Sequence, residues 1–136
     1  MPGSNERLVL NCIAKARGAL SDAEYVIQDN RYNVALNRLY YAIFYAVQAL
    51  AYNDDFITSK HSQLMGWFNK KFIYDQQIFP KRMNEVYSKA YMNRQEADYD
   101  LMNDDDYSGE EINLFYEDSK FFVSSVEEYL NRSVGS

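Results

Sequence analysis

Asn37-Arg38-Leu39-Tyr40-Tyr41-Ala42-Ile43-Phe44-Tyr45-Ala46 places one arginine in a run otherwise dominated by aromatic and small apolar residues. At helical period, Leu36, Tyr40, Ile43, Val47 and Leu50 form one apolar stripe, and Leu39, Ala42, Ala46 and Ala49 form a second beside it. Two adjoining stripes need cover on most of the helix surface, which packed neighbouring helices supply. Arg38 shares the remaining flank with Tyr41 and Tyr45. A buried or half-buried guanidinium needs partners, so this position calls for a carboxylate, backbone carbonyls or an anionic ligand.

The flanking sequence supplies the other helices. Val9, Ile13, Ala16, Leu20, Ala23 and Ile27 step by four and three, predicting a first helix over about 6–28 that Gln28-Asp29-Asn30 ends. The central stretch lies on a second helix over about 32–52. Asn53-Asp54-Asp55 and Phe56-Ile57-Thr58-Ser59 then form a polar turn able to cap a third, whose face carries Leu64, Trp67, Phe68 and Phe72 to about residue 73. Residues 74–79 read as a loop, with Pro80 in the first turn of a fourth helix bearing Met83, Val86, Ala90, Ala97 and Leu101. Ser108-Gly109-Glu110-Glu111 is a capping box, opening a fifth helix with Ile112, Phe115, Ser119, Phe122, Val126 and Tyr129.

With only five Gly and two Pro and no strand-like alternation, the expected class is all-α. Short connections favour an up-and-down antiparallel bundle of four long helices plus one shorter helix. The bundle is expected over residues 6–131, with 1–5 and 132–136 as frayed ends. A chain of 136 residues can bury such a core without disulfides or metals.

Composition also limits function. One cysteine and one histidine do not make a metal site, and Cys12 reads as a packed core thiol. No cofactor-binding, nucleophile-elbow or calcium-loop motif is present, so no cofactor is expected. No run of about 18 apolar residues predicts a membrane span, and no export leader is evident, leaving the cytoplasm as the default location. Net charge is −6, yet residues 60–94 hold seven cations against Asp75 and Glu85, a local balance of +5 that leaves −11 elsewhere. That basic region is a place where phosphate could be accepted.

Two polar residues stand out beyond Arg38. Arg94 interrupts the apolar stripe of the fourth helix, one turn before Asp98, which can pair with it. The pair reads either as an internal ion pair or as an anion clamp, a five-donor fork oriented by Asp98. Tyr87, Tyr91 and Tyr99 are placed to add hydroxyls or stacking faces. His61 falls in the first turn of the third helix, where the dipole disfavours imidazolium. It reads as part of a helix-start hydrogen-bond network or, if catalytic, as a general acid or base.

Three segments together, Asn37 to Phe44, Lys60-His61-Ser62, and Arg94-Gln95-Glu96-Ala97-Asp98-Tyr99-Asp100, resemble the HEPN domain (higher eukaryotes and prokaryotes nucleotide-binding), in its small stand-alone prokaryotic branch. The resemblance implies a helical homodimer with a site near the dimer interface. It also implies kinship with metal-independent endoribonucleases of toxin–antitoxin or defence systems, commonly encoded beside a minimal nucleotidyltransferase. The signature of those enzymes is an arginine followed after four to six residues by a histidine. Arg94 matches the arginine, whereas Tyr99 occupies the histidine position, and a phenol near pKa 10 is a poor base at neutral pH.

The leading expectation is therefore a non-catalytic or weakly catalytic module for nucleotide, RNA phosphate or a partner nucleotidyltransferase. Arg94, oriented by Asp98, would be its main anion contact, with Tyr99 beside it and Arg38 and Tyr41 as the supporting layer. The alternative is a metal-independent endoribonuclease in which His61, brought near Arg94 by packing of the third helix on the fourth or across a dimer, replaces the missing histidine. A third reading is a structural dimer subunit whose arginines are consumed by internal ion pairs.

Overall fold

A computed structural model describes the backbone of residues 2–98 and 102–135 and the side chains of residues 5–97 and 102–132. Among these residues the chain forms five α-helices and no strand: α1 Pro2–Gln28, α2 Tyr32–Asn53, α3 His61–Phe68, α4 Lys81–Asp98 and α5 Gly109–Gly135. A π-helical turn, Asn69–Asp75, follows α3, and a 3-10 turn, Asp104–Asp106, precedes α5. The chain is a helical bundle with α2 at its centre, touching α1, α3, α4 and α5. No helix among the described residues is long and apolar enough to cross a membrane.

Small residues explain the seam between α1 and α2. Ala16, Ala19 and Ala23 of α1 and Ala35, Ala42, Ala46 and Ala49 of α2 are buried, so both helices carry little side-chain bulk on their inner faces. Both expected stripes of α2 are buried along their whole length. The α1–α2 connection closes by backbone geometry: Asn30 takes φ 59°, Arg31 N–H donates to Val26 C=O at 3.0 Å, and Asn30 N–H donates to Ile27 C=O at 2.9 Å. That is a Schellman motif with asparagine at its left-handed position. The end of α2 repeats it, with Asp55 at φ 59° and Phe56 N–H on Ala51 C=O at 2.8 Å.

The lower core is aromatic. Phe68 of α3 lies 5.3 Å from Phe122 of α5 and 5.6 Å from Tyr87 of α4, between ring centroids, with Phe72 and Phe79 stacked nearby. Offset and edge contacts at these separations add to the area buried by each ring.

Several boundaries differ from expectation. α1 begins at Pro2 and α4 at Lys81, with Pro80 just outside it. The α-helical part of α3 stops at Phe68, where residue 73 was expected; the chain then widens into the π turn, with Gln76 N–H on Lys71 C=O at 2.9 Å. Both Phe72 and its neighbour Ile73 are buried there, and Lys71 is drawn to Asp54. Tertiary packing, invisible to periodicity, accounts for the altered winding. Thr58 and Ser59 do not cap α3: its N-cap is Lys60, without a side-chain bond, and Thr58 Oγ1 accepts Lys60 N–H at 3.2 Å. Ser108 does cap α5, its Oγ accepting Glu111 N–H at 3.0 Å. Leu101, expected on the fourth stripe, lies outside the described residues.

Candidate functional site

The site is built around a tyrosine of the core. Tyr40 sits on the inward stripe of α2 and is fully buried, so its hydroxyl needs a hydrogen-bond partner inside the bundle. α3 provides one at its first residue, with Tyr40 Oη 2.7 Å from His61 Nδ1. The imidazole stacks on Phe44 at 4.3 Å and 26°, and lies 5.7 Å from the Tyr40 ring and 6.1 Å from Tyr41. Three aromatic side chains from two turns of α2 thus fix the ring plane.

α4 brings Arg94 to the same place. Its guanidinium carbon lies 5.1 Å from the Tyr40 ring centroid and 5.5 Å from that of Tyr41, and Nη2 donates a long 3.4 Å hydrogen bond to Tyr41 Oη. Aromatic faces attract a guanidinium through their quadrupole, which helps to position the fork. Arg94 and His61, 33 positions apart in the chain, therefore converge on Tyr40.

Protonation follows from these contacts. Burial, followed by the charge of Arg94, lowers the His61 pKa below the ordinary imidazole value. The imidazole is consequently neutral at neutral pH. Burial pushes the Tyr40 phenol well up, with Arg94 only partly opposing it, so Tyr40 keeps its proton. Donation of that proton to His61 Nδ1 satisfies the buried O–H, and the hydrogen-bond network then assigns the imidazole proton to Nε2. In this arrangement the site holds a cationic fork beside a neutral N–H donor.

Arg38 and Tyr41 also belong to it. Arg38 Nε and Nη2 donate to Asn37 Oδ1 at 3.1 and 2.7 Å, and its guanidinium carbon lies 5.4 Å from the Tyr41 ring centroid. Among the described residues Arg38 thus meets a neighbouring side-chain amide and an aromatic ring, and neither the carboxylate nor the backbone carbonyls expected for it. Tyr91 approaches Tyr40 edge-on at 6.2 Å. Tyr87 does not serve the site: it is fully buried against Phe68 and Phe122, and its phenol is raised by burial. The side chain of Asp98 and all of Tyr99 lie outside the described residues.

The basic stretch is less available than its count suggests. Lys70 pairs with Asp75 at 2.8 Å, Arg82 with Asp118 at 2.7 Å, and Lys71 with Asp54. Among the described residues these pairs already compensate Lys70, Lys71 and Arg82, with partners that include the end of α2 and the middle of α5. Cys12 is buried and its thiol pKa is raised, first by burial, with Lys15 opposing, as suits an inert core thiol.

Sequence reading missed Tyr40 as a site residue. Its signal was present: a phenol on an otherwise apolar inward stripe must place its hydroxyl somewhere.

The sequence model of the HEPN domain matches residues 9–132, and the chain belongs to this family. It is 29% identical over 126 residues to a Thermotoga maritima protein named "UPF0332 protein", covering 93% of this chain and 88% of that one. It is 30% identical over 118 residues to the Methanocaldococcus jannaschii protein named "Putative toxin MJ0142", covering 87% of this chain and 78% of the relative. A second protein of that organism, "Putative toxin MJ0605", is 27% identical over 114 residues, covering 82% and 80% of the two chains.

Proposed function

We propose that this HEPN protein is an RNA-phosphate-binding module of a toxin-type system, with Arg94 and His61 as the phosphate contact. The observation that carries the reading is the convergence of both side chains on Tyr40. Arg94 offers a charged, planar fork suited to two phosphate oxygens. Neutral His61 adds an N–H donor without requiring a second positive charge beside the first. The toxin names of two relatives support the biological setting. A homodimer and a nucleotidyltransferase partner belong to the same reading.

The second reading is metal-independent cleavage, favoured by the low His61 pKa. A neutral imidazole with its lone pair on Nε2 could take the proton of a ribose 2′-hydroxyl as that oxygen attacks phosphorus and the P–O5′ bond breaks. The departing 5′-oxygen takes a proton from water, the imidazolium returns its proton to the hydroxide so formed, and Arg94 balances charge on the phosphorane. This requires the opposite tautomer, with Nδ1–H donating to Tyr40. The direction of one hydrogen bond separates a binding site from a base.

One experiment tests both readings. Labelled RNA is incubated in EDTA with the parent, Arg94→Ala and His61→Ala, while binding is followed by anisotropy and chain length by electrophoresis. Binding that weakens in both variants, and weakens with salt, supports the phosphate site. Affinity indifferent to Arg94 and to salt overturns it. Cleavage lost in both variants promotes the second reading.

A further inference from the structure

Arg38 is a half-buried cation whose hydrogen bonds among the described residues go to the neutral amide of Asn37. No carboxylate pairs with it among the described residues. It is also held close to the other guanidinium of the site. The Tyr41 ring centroid lies 5.4 Å from the Arg38 guanidinium carbon and 5.5 Å from that of Arg94, so the two cations are at most 10.9 Å apart, the sum of those radii. Two like charges gathered around one ring, one of them with no counter-charge, leave a place for a second anion.

The surface continues with the same alternation. Tyr45, half-buried, lies 6.0 Å from Tyr41 between ring centroids, and Lys15 of α1 stands 5.5 Å from the Tyr45 ring. Cations interleaved with partly exposed aromatic rings suit a single nucleic-acid strand, whose phosphates and bases alternate likewise. A lone nucleotide phosphate would engage one arginine and leave the other untouched.

We infer that Arg38 is a second phosphate contact, adjoining that of Arg94 across Tyr41, so that the site takes an RNA strand through two neighbouring phosphates. This rests on the RNA-phosphate reading above. Asn37 acts as the positioning residue, holding Nε and one Nη of Arg38 and leaving the remaining N–H groups to face the strand. Specificity then falls on strand over mononucleotide, since only a strand presents both anions at once.

The test uses a short 2′-O-methyl RNA strand, which cannot be cleaved through a 2′-hydroxyl, and a set of the same strand in which one phosphate at a time is a neutral methylphosphonate. Binding is read by anisotropy for the parent, Arg38→Ala, Arg38→Gln and Arg94→Ala. Loss of one charge-assisted contact is expected to weaken Arg38→Ala and Arg38→Gln about tenfold and to reduce the salt slope by about 0.7. One methylphosphonate should weaken the parent by a similar factor and leave both Arg38 variants unchanged, with a neighbouring position behaving so for Arg94→Ala. The methylphosphonate series on the parent needs no variant to fold.

Arg38 variants that bind with parental affinity and slope, while Arg94→Ala does not, overturn the second contact and leave the first standing. Absence of strand binding by every form overturns both. Arg38→Gln that changes the sedimentation of the free protein and not its RNA affinity would assign Arg38 to a carboxylate of a second copy, and also overturns the inference.

Discussion

Tyr40 Oη and His61 Nδ1, 2.7 Å apart, join the buried middle of α2 to the first residue of α3. This bond couples the imidazole tautomer to the Tyr40 hydroxyl and links the site to the core. Tyr40→Phe keeps the ring that supports Arg94 and removes the bond alone. It should cost about 1 kcal/mol of stability in urea unfolding. Nitrogen NMR of the imidazole should show Nε2–H in the parent and a tautomer mixture in the variant. A parent spectrum dominated by Nδ1–H would reverse the hydrogen bond and favour the base reading.

His61 makes stability depend on pH in a defined direction. Its folded-state pKa lies below the ordinary value of 6.5, so the unfolded chain takes up the proton first as pH falls. Its contribution is complete above that value and declines as pH drops through it toward the folded-state pKa. Unfolding measured between pH 7.5 and 5 should lose less stability in His61→Gln than in the parent. Equal losses in the two proteins would remove His61 as the source.

Arg94 should be visible in the titration of His61. Because its charge lowers the imidazole pKa, Arg94→Met is expected to move the NMR-detected midpoint upward, while Arg94→Lys keeps it low. Lysine retains charge but not the fork, so RNA affinity should fall between those of parent and Arg94→Met. A His61 midpoint that ignores Arg94→Met would contradict the shared site.

Ser108 offers an independent check on α5. Its Oγ accepts the Glu111 N–H at 3.0 Å, and Ser108→Ala should cost roughly 0.5–2 kcal/mol in chemical unfolding. Stability unchanged within error would mean that water replaces the cap.

Phe68 tests the aromatic core. It is fully buried among Phe72, Phe79, Tyr87 and Phe122, so Phe68→Ala should cost roughly 3–5 kcal/mol. A loss under 1 kcal/mol would show that the neighbouring rings collapse into the space.

Local patterns were legible where the deciding contact lies within a few residues. The two stripes of α2, the Ser108 cap and the polar turns ending α1 and α2 are of this kind. The meeting of His61 with Arg94 is not legible from spacing along the chain, because it depends on how α3 and α4 pack on α2. Tyr40 was read as core, which it is, and its second role depends on a partner 21 residues away. Counting charges along the chain likewise overstated the basic region, since Lys71 finds Asp54 and Arg82 finds Asp118 only after folding.

The order in which the site's parts leave the ribosome has its own consequence. Tyr40 and Tyr41 emerge first, His61 next and Arg94 last, and the α2 that holds them also packs on the still later α5. An incomplete chain carries the aromatic scaffold and Arg38 without the guanidinium of Arg94. The meeting of Arg94 with this scaffold therefore waits until α4 has been made, an order written into the sequence positions of these residues.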